Sequence, residues 1–358
     1  MSRYRTKGYP WSSGLGVSVE DCTTSAEVME KAKLDFVVDK CPIVAKMPFR
    51  IGKNISIPTG KDDEDGFNYG GNIYREVPRQ YATYRNDLNV PLGLVKEKYE
   101  VVQNIDAFNF FDEAIGENKA IWQTAGAFGL GHKVFISAKL PITTTVNGND
   151  PIENYLVFSN SHDGSSSINI MFTPIRVFCT NCLNSALKNA DSYIRIKHTR
   201  TAKERLQEGA EILKIACQYA KDSQELYNAL FKIGASDLEV KQYFARLVLT
   251  PEEYSKLWDY GKNVALNRLF YRDYITMEAT GISTRKANRL YELWQYYLEG
   301  VGQNNIVGTA WGAYNAVTGF YSNVDNKNGE ARMQSLLYGT AQTVTLNALN
   351  SAFDIKAA

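Results

Sequence analysis

What most constrains this chain is a change of periodicity near Thr201. From Ile73 to Lys197 the apolar residues come in short β-rich runs separated by turn signals, whereas beyond Thr201 they recur at helical spacing. The strand candidates are Gln80 to Arg85, Leu92 to Val95, Ile121 to Ala125, Lys133 to Leu140, Tyr155 to Asn160, Ser167 to Phe178 and Ser192 to Lys197. Helical spacing interrupts them at Phe108, Phe111, Ala114 and Ile115, and again at Leu183, Ala186, Leu187 and Ala190. Strands followed by helices predict an α+β fold. Its parts are an N-terminal extension over 1–72 with a flexible acidic, glycine-bearing loop, an antiparallel β-rich domain with an embedded helix over 73–200, and an all-helical domain over 201–358.

Turn and cap chemistry supports this division. Asn147-Gly148 accepts the positive φ of a tight hairpin. Gly126 to Gly131 has glycines like a phosphate loop, but strand-like Lys133 to Ile136 follows where a dinucleotide site needs a helix, so it reads as a bend between paired strands. Thr250-Pro251-Glu252-Glu253 and Ser283-Thr284-Arg285 read as helix starts. Helices are expected over 202–221, 236–248, 251–279, 284–299, 309–322 and 330–353, with Gly234, Gly300 and Gly329 at boundaries.

A chain of 358 residues with 44% hydrophobic content can bury a sizeable core. Its 40 Lys and Arg nearly balance 39 Asp and Glu, so no whole-molecule field draws in nucleic acid or anionic lipid. Any anion site must be local. Met1 to Trp11 lacks an apolar run behind Arg3, Arg5 and Lys7, and no stretch has the roughly 18 apolar residues of a membrane span. A soluble protein of the bacterial cytoplasm, without a membrane partner, is the expectation. Cys22, Cys41, Cys179, Cys182 and Cys217 form an odd, scattered set that suits reduced thiols. Cys179 to Cys182 spells C-x-x-C, but no second pair or H-x-x-x-H completes a zinc site. The acidic run Lys61 to Gly71 lacks the bidentate glutamate a calcium loop needs. No metal or cofactor is expected.

Functional candidates concentrate between Tyr155 and Arg205. The hairpin tip Asn160-Ser161-His162-Asp163-Gly164-Ser165 places an imidazole beside a carboxylate. Asp163-Gly164 also suits a plain turn, and the serines suit backbone caps. Farther on, Arg176 ends a strand and Thr180 or Asn181 is expected to open a helix, whose free amides with Arg176 would receive an anion. Ordinary capping, with Arg176 paired to a carboxylate, is the structural alternative. Pro174 places its strand at an edge or bulge. Arg195, Lys197, His198, Arg200, Lys203 and Arg205 form the densest basic cluster, in which strand alternation puts Arg195 and Lys197 on one face. Such a face can track a phosphate backbone or merely guard a strand edge. Tyr155, Phe158 and Tyr193 are available to stack on bases or to fill a core. The aromatic stripes of the helical half, including Trp258, Trp294 and Trp311, fit packing or self-association.

Leu92-Gly93-Leu94-Val95, Tyr99 to Asn104, Asn160 to Ser165, Pro174 to Asn181 and Gly308 to Thr318 together resemble a phage/plasmid-related protein family of unknown function. The resemblance implies carriage by mobile elements and no settled activity. Cys182 departs from the family pattern. The strands before the 181–190 helix also look loosely like the core of single-strand annealing recombinases, a fold-level analogy. The expectation is a nucleic-acid-binding protein, with single-stranded DNA as partner, homo-oligomeric through the helical half. Its site residues are Arg176, Thr180, Asn181, Arg195, Lys197, Arg200, His162 and Ser165. One alternative is an enzyme acting on a nucleotide or other phosphate-bearing small molecule through His162 and Asp163, which requires these two and Arg176 to share a pocket. Another is a non-catalytic structural or host-interaction protein.

Overall fold

The computed structural model describes residues 16–48, 66–69, 72–116, 120–176, 181–182, 193–202, 204, 209–325 and 329–357. A β-rich region with antiparallel sheets precedes a largely helical region, an α+β arrangement. The larger sheet contains β1 (Gly16–Ser18), β6 (Ile121–Phe128), β7 (Lys133–Val146), β8 (Asp150–Ser161), β9 (Ile168–Arg176) and β10 (Asn181–Cys182), neighbours in that order. β11 (Tyr193–Ile196) also pairs with β9. The smaller sheet joins β2 (Val38–Pro48), β4 (Asn72–Arg85) and β3 (Gly66–Tyr69), with β5 (Val90–Lys96) also on β4. The helices α1 (Ser25–Ala32) and α2 (Asn104–Gly116) belong to this half.

Hairpin turns form where left-handed backbone is affordable: Asn147 has φ 48° and Gly148 φ 74°, and Gly129 and Gly131 bend β6 into β7. Pro174 pairs with Asn154 on β8, and on β9's other flank it falls between the stretches paired with β10 and β11. Its missing N–H therefore breaks no ladder there.

The larger sheet is buried on both faces. Along β8, Leu156 and Phe158 point into a core with Val28, Phe108, Ala216 and Ala220, while Tyr155 and Val157 point the opposite way to Met333 and Leu337. Strand alternation thus feeds two apolar layers. One layer lies against α1, α2 and α3 (Gly209–Lys232); the other is covered by α9 (Gly329–Tyr338).

The helical half also contains α4 (Asp237–Val248), α5 (Pro251–Phe270), α6 (Tyr274–Thr280), α7 (Thr284–Glu299), α8 (Ala310–Gly319) with a π turn over Phe320–Val324, and α10 (Thr340–Ala352). Ser236 and Thr250 form capping boxes with Glu239 and Glu253, and Ser283 caps α7. Two spans expected as continuous are divided. Asp273 caps a separate α6, and Gly339 parts α9 from α10. Of the aromatics, Trp294, Trp311, Tyr296 and Tyr297 are core, whereas Tyr271 and Tyr274 are exposed.

The described part of the expected N-terminal extension is built into both sheets. β1 pairs with β6, β2 pairs with β4, and Val19, Val28, Leu34 and Phe36 are buried. Gly66–Tyr69, expected in a flexible loop, is a strand; the rest of 61–71 lies outside the described residues. Among the described residues no helix is long and apolar enough to cross a membrane.

Candidate functional site

The hairpin tip between β8 and β9 docks onto β5. Gly93 packs so tightly on it that an added Cβ would collide with the Asp163 carbonyl and lie 2.5 Å from its Cα. Gly164, at φ 72°, completes the turn. The His162 and Asp163 amides both donate to the His132 carbonyl, Thr83 Oγ1 donates to the His162 carbonyl at 2.6 Å, and Tyr99 Oη donates to that of Ser161 at 2.6 Å. Because neither backbone can swing aside, Gly93→Ala is expected to cost about 1–3 kcal/mol, as overpacking does. A urea midpoint equal to wild type would contradict this docking.

His162 is fully buried, and its Nε2 lies 2.8 Å from Asn104 Oδ1. Asn104 Nδ2 donates to the Leu34 carbonyl, which orients Oδ1 toward the imidazole and assigns the His162 proton to Nε2. His198, also buried, has Nδ1 3.2 Å from the Glu100 carbonyl and stacks on Tyr99, ring centroids 4.6 Å apart. His162 Nδ1 and His198 Nε2 have no hydrogen-bond partner among the described residues. Burial, then the charge of His198, pushes the His162 pKa down to about 3 against the opposing pull of Asp163. Burial likewise takes His198 down to about 4. Burial would raise the Asp163 carboxyl, but hydrogen bonds from Ser161 and Ser165 outweigh it and hold the group below its ordinary value. A neutral imidazole without solvent contact and a carboxylate held through Oδ1 by Ser161 and Ser165 make a structural tie between the sheets, not an acid–base pair.

Arg176 lies at the far end of the same hairpin, opposite Ile152. The strand from there to Ser161 spans roughly 30 Å at about 3.3 Å per residue. The guanidinium is 1% exposed; Nε donates to both oxygens of Asp150 at 2.7 Å and Nη2 to the Gly302 carbonyl at 2.8 Å. Trp311 Nε1 donates to Asp150 Oδ2 at 2.9 Å. This buried network joins the sheet to the helical half.

The concave feature of this region lies elsewhere. A cleft of about 630 Å³ opens between Ser165 to Ser167 of the tip, Asn169 of β9, Arg195 of β11 and the junction of α9 with α10. Lys133, 8% exposed, lines it, as do Gln334, Ser335, Tyr338, Gly339 and Thr340. Among the described residues no carboxylate lines it.

The family model described as Domain of unknown function (DUF932) matches residues 91–348. The chain belongs to this family. No curated protein and no solved structure is significantly similar to it. The DUF932 match begins in β5 and ends in α10, so it contains the docked tip, the Asp150–Arg176 network and every residue lining the cleft.

Within the DUF932 region the expected site residues separate. Ser165 and Arg195 meet at the cleft, and Lys197 and Arg200 continue an exposed rim beyond β11, with Arg200 4.0 Å from Glu100. His162 does not join them, because it is buried under the second sheet. Arg176 does not either, since its charge is matched by Asp150 inside the protein. His162, Asp163 and Arg176 therefore share no pocket, which removes the geometry the enzymatic alternative required. Asn181 does not open a helix; its backbone pairs with Arg176 in β10. Thr180, Cys179, Lys203, Arg205 and the expected 183–190 helix lie outside the described residues. His198 leaves the basic cluster by burial, and Tyr155 and Phe158 are core. Sequence reasoning missed Lys133, which reads only as the polar start of an apolar strand.

Proposed function

We propose that this DUF932 protein is a nucleic-acid-binding protein of the phage/plasmid type that takes single-stranded DNA along the β11 edge and into the adjoining cleft. The observation that carries this is the basic rim. Arg195 and Lys197 alternate with buried Ile196 and His198, so both are exposed on the same side, and Arg195 forms one wall of the carboxylate-free cleft. A rim of this kind binds phosphates through local charge, which the near-neutral net charge of +1 requires of any anion site here.

Self-association through the helical half is part of the same proposal. Val264, Tyr271, Tyr274 and Ile275 on or beside α5 and α6 are each more than three-fifths exposed, an apolar surface suited to a second copy.

Fluorescence anisotropy with single-stranded oligonucleotides tests the binding reading. Binding should be tight at low salt and weaken as salt rises. Arg195→Glu with Lys197→Glu should lower affinity by at least about tenfold and flatten the log–log salt slope by roughly 1.4, the share of two single-strand phosphates. No binding at low salt, or a double variant equal to wild type, would eliminate this function.

A further inference from the structure

Lys133 opens β7 at the bottom of the cleft. Although only 8% exposed, its ammonium makes no hydrogen bond and no ion pair among the described residues. Its neighbours are the Tyr338 ring, 5.0 Å from Nζ to centroid, and the charge of Asp163. The Asp163 carboxylate is already engaged by Ser161 and Ser165. The stem of Lys133 is thus packed away while its ammonium reaches the cleft, where no hydrogen-bonded counter-charge among the described residues occupies it.

A second, independent feature faces the same space. α10, spanning 13 residues, starts at Gly339 and Thr340 in the cleft wall, and Gly339 supplies no side-chain cap. Ser335 takes two of the first amides, that of Gly339 with its carbonyl at 3.1 Å and that of Ala341 with Oγ at 3.2 Å, while the Thr340 amide, in the cleft wall, has no partner among the described residues. An anion in the cleft can accept from that remaining amide at the positive end of the helix. Arg195 adds an exposed positive charge at the rim.

We propose that the floor of the cleft is a phosphomonoester site, in which Lys133 and the start of α10 hold a terminal phosphate beside Arg195. A terminal phosphate carries about 1.5 to 2 negative charges near neutrality, against one for a backbone diester, so an ammonium and a helix start together favour the terminal group. The volume of about 630 Å³ suits a nucleotide-sized group. The same chemistry is presented by the phosphorylated end of a DNA strand and by a free nucleoside monophosphate. For the strand end, the site rests on the strand-binding reading above; for the free nucleotide it does not.

The test uses the full chain. Sodium phosphate should raise the melting temperature above a sodium chloride control at equal ionic strength. Lys133→Met should abolish that rise and, without phosphate, melt close to wild type, since it keeps the packed apolar stem and removes only the ammonium in the cleft. Anisotropy should show at least about tenfold tighter binding of a 5′- or 3′-phosphorylated single strand than of its hydroxyl-ended counterpart, the scale of one added set of charge-assisted bonds. A nucleoside monophosphate, but not the nucleoside, should compete. Wild-type protein alone decides if the variant fails to fold. Equal binding of both end types, with no phosphate-specific stabilisation, overturns the site but leaves strand binding standing. Phosphate stabilisation with monophosphate binding, and no oligonucleotide binding, upholds the site and removes the strand reading.

Discussion

Asp150→Ala is expected to lower the unfolding free energy by about 3–5 kcal/mol, the scale seen when one member of a buried ion pair is removed. The same pair on a surface would contribute about 0–1 kcal/mol, so burial decides the magnitude. Arg176, 1% exposed, would stay charged with its principal counter-ion gone, and Trp311 Nε1 would lose its acceptor. Replacing both charges, as in Asp150→Leu with Arg176→Met, should recover most of the loss, because an apolar pair of similar volume avoids desolvating two ions. Urea denaturation of the three proteins measures this. A loss below about 1 kcal/mol for Asp150→Ala would mean that the pair is solvated.

Acidification from pH 7 to pH 5 is expected to remove roughly 4 kcal/mol of stability, roughly 2 from each of His162 and His198. In the unfolded chain both imidazoles take up a proton near pH 6.5, whereas the folded protein resists protonation down to about 3 for His162 and about 4 for His198. The folded values are depressed, so the unfolded state binds more protons below pH 6.5 and stability falls as pH falls. Above that pH neither group contributes a slope. Asp163, held below its ordinary value, adds its own loss only at more acid pH, about 4 and lower. Denaturation midpoints at pH 7 and pH 5 should differ accordingly, and His162→Gln should roughly halve the difference. Equal midpoints for the wild type would refute the burial of both rings.

Much of the candidate site was legible as residues but not as a place. The Asp163-Gly164 turn was readable because positive φ and short side-chain bonds are decided within four residues. Arg195 and Lys197 on one side of a strand followed from its two-residue period. Arg176 carried the same local signal as Arg195, yet one is inside against Asp150 and the other lines the cleft. Nothing within a few positions of either distinguishes them. Lys133 was silent for the same reason. Its setting depends on Tyr338 and Gly339, about two hundred positions away in sequence.

The sequence by itself determined the strands β4 to β9 and β11, the hairpins at Asn147-Gly148 and Gly129 to Gly131, and the helix starts at Ser236, Thr250 and Ser283. Each depends on backbone preferences and hydrogen bonds confined to one turn. Only the tertiary structure decided that the larger sheet is covered on both faces, that His162 ties two sheets together, and that α9 and α10 meet the hairpin tip to make a cleft. Burial and the pairing of charges are properties of surfaces brought together from distant parts of the chain, and local periodicity carries no record of which surfaces meet.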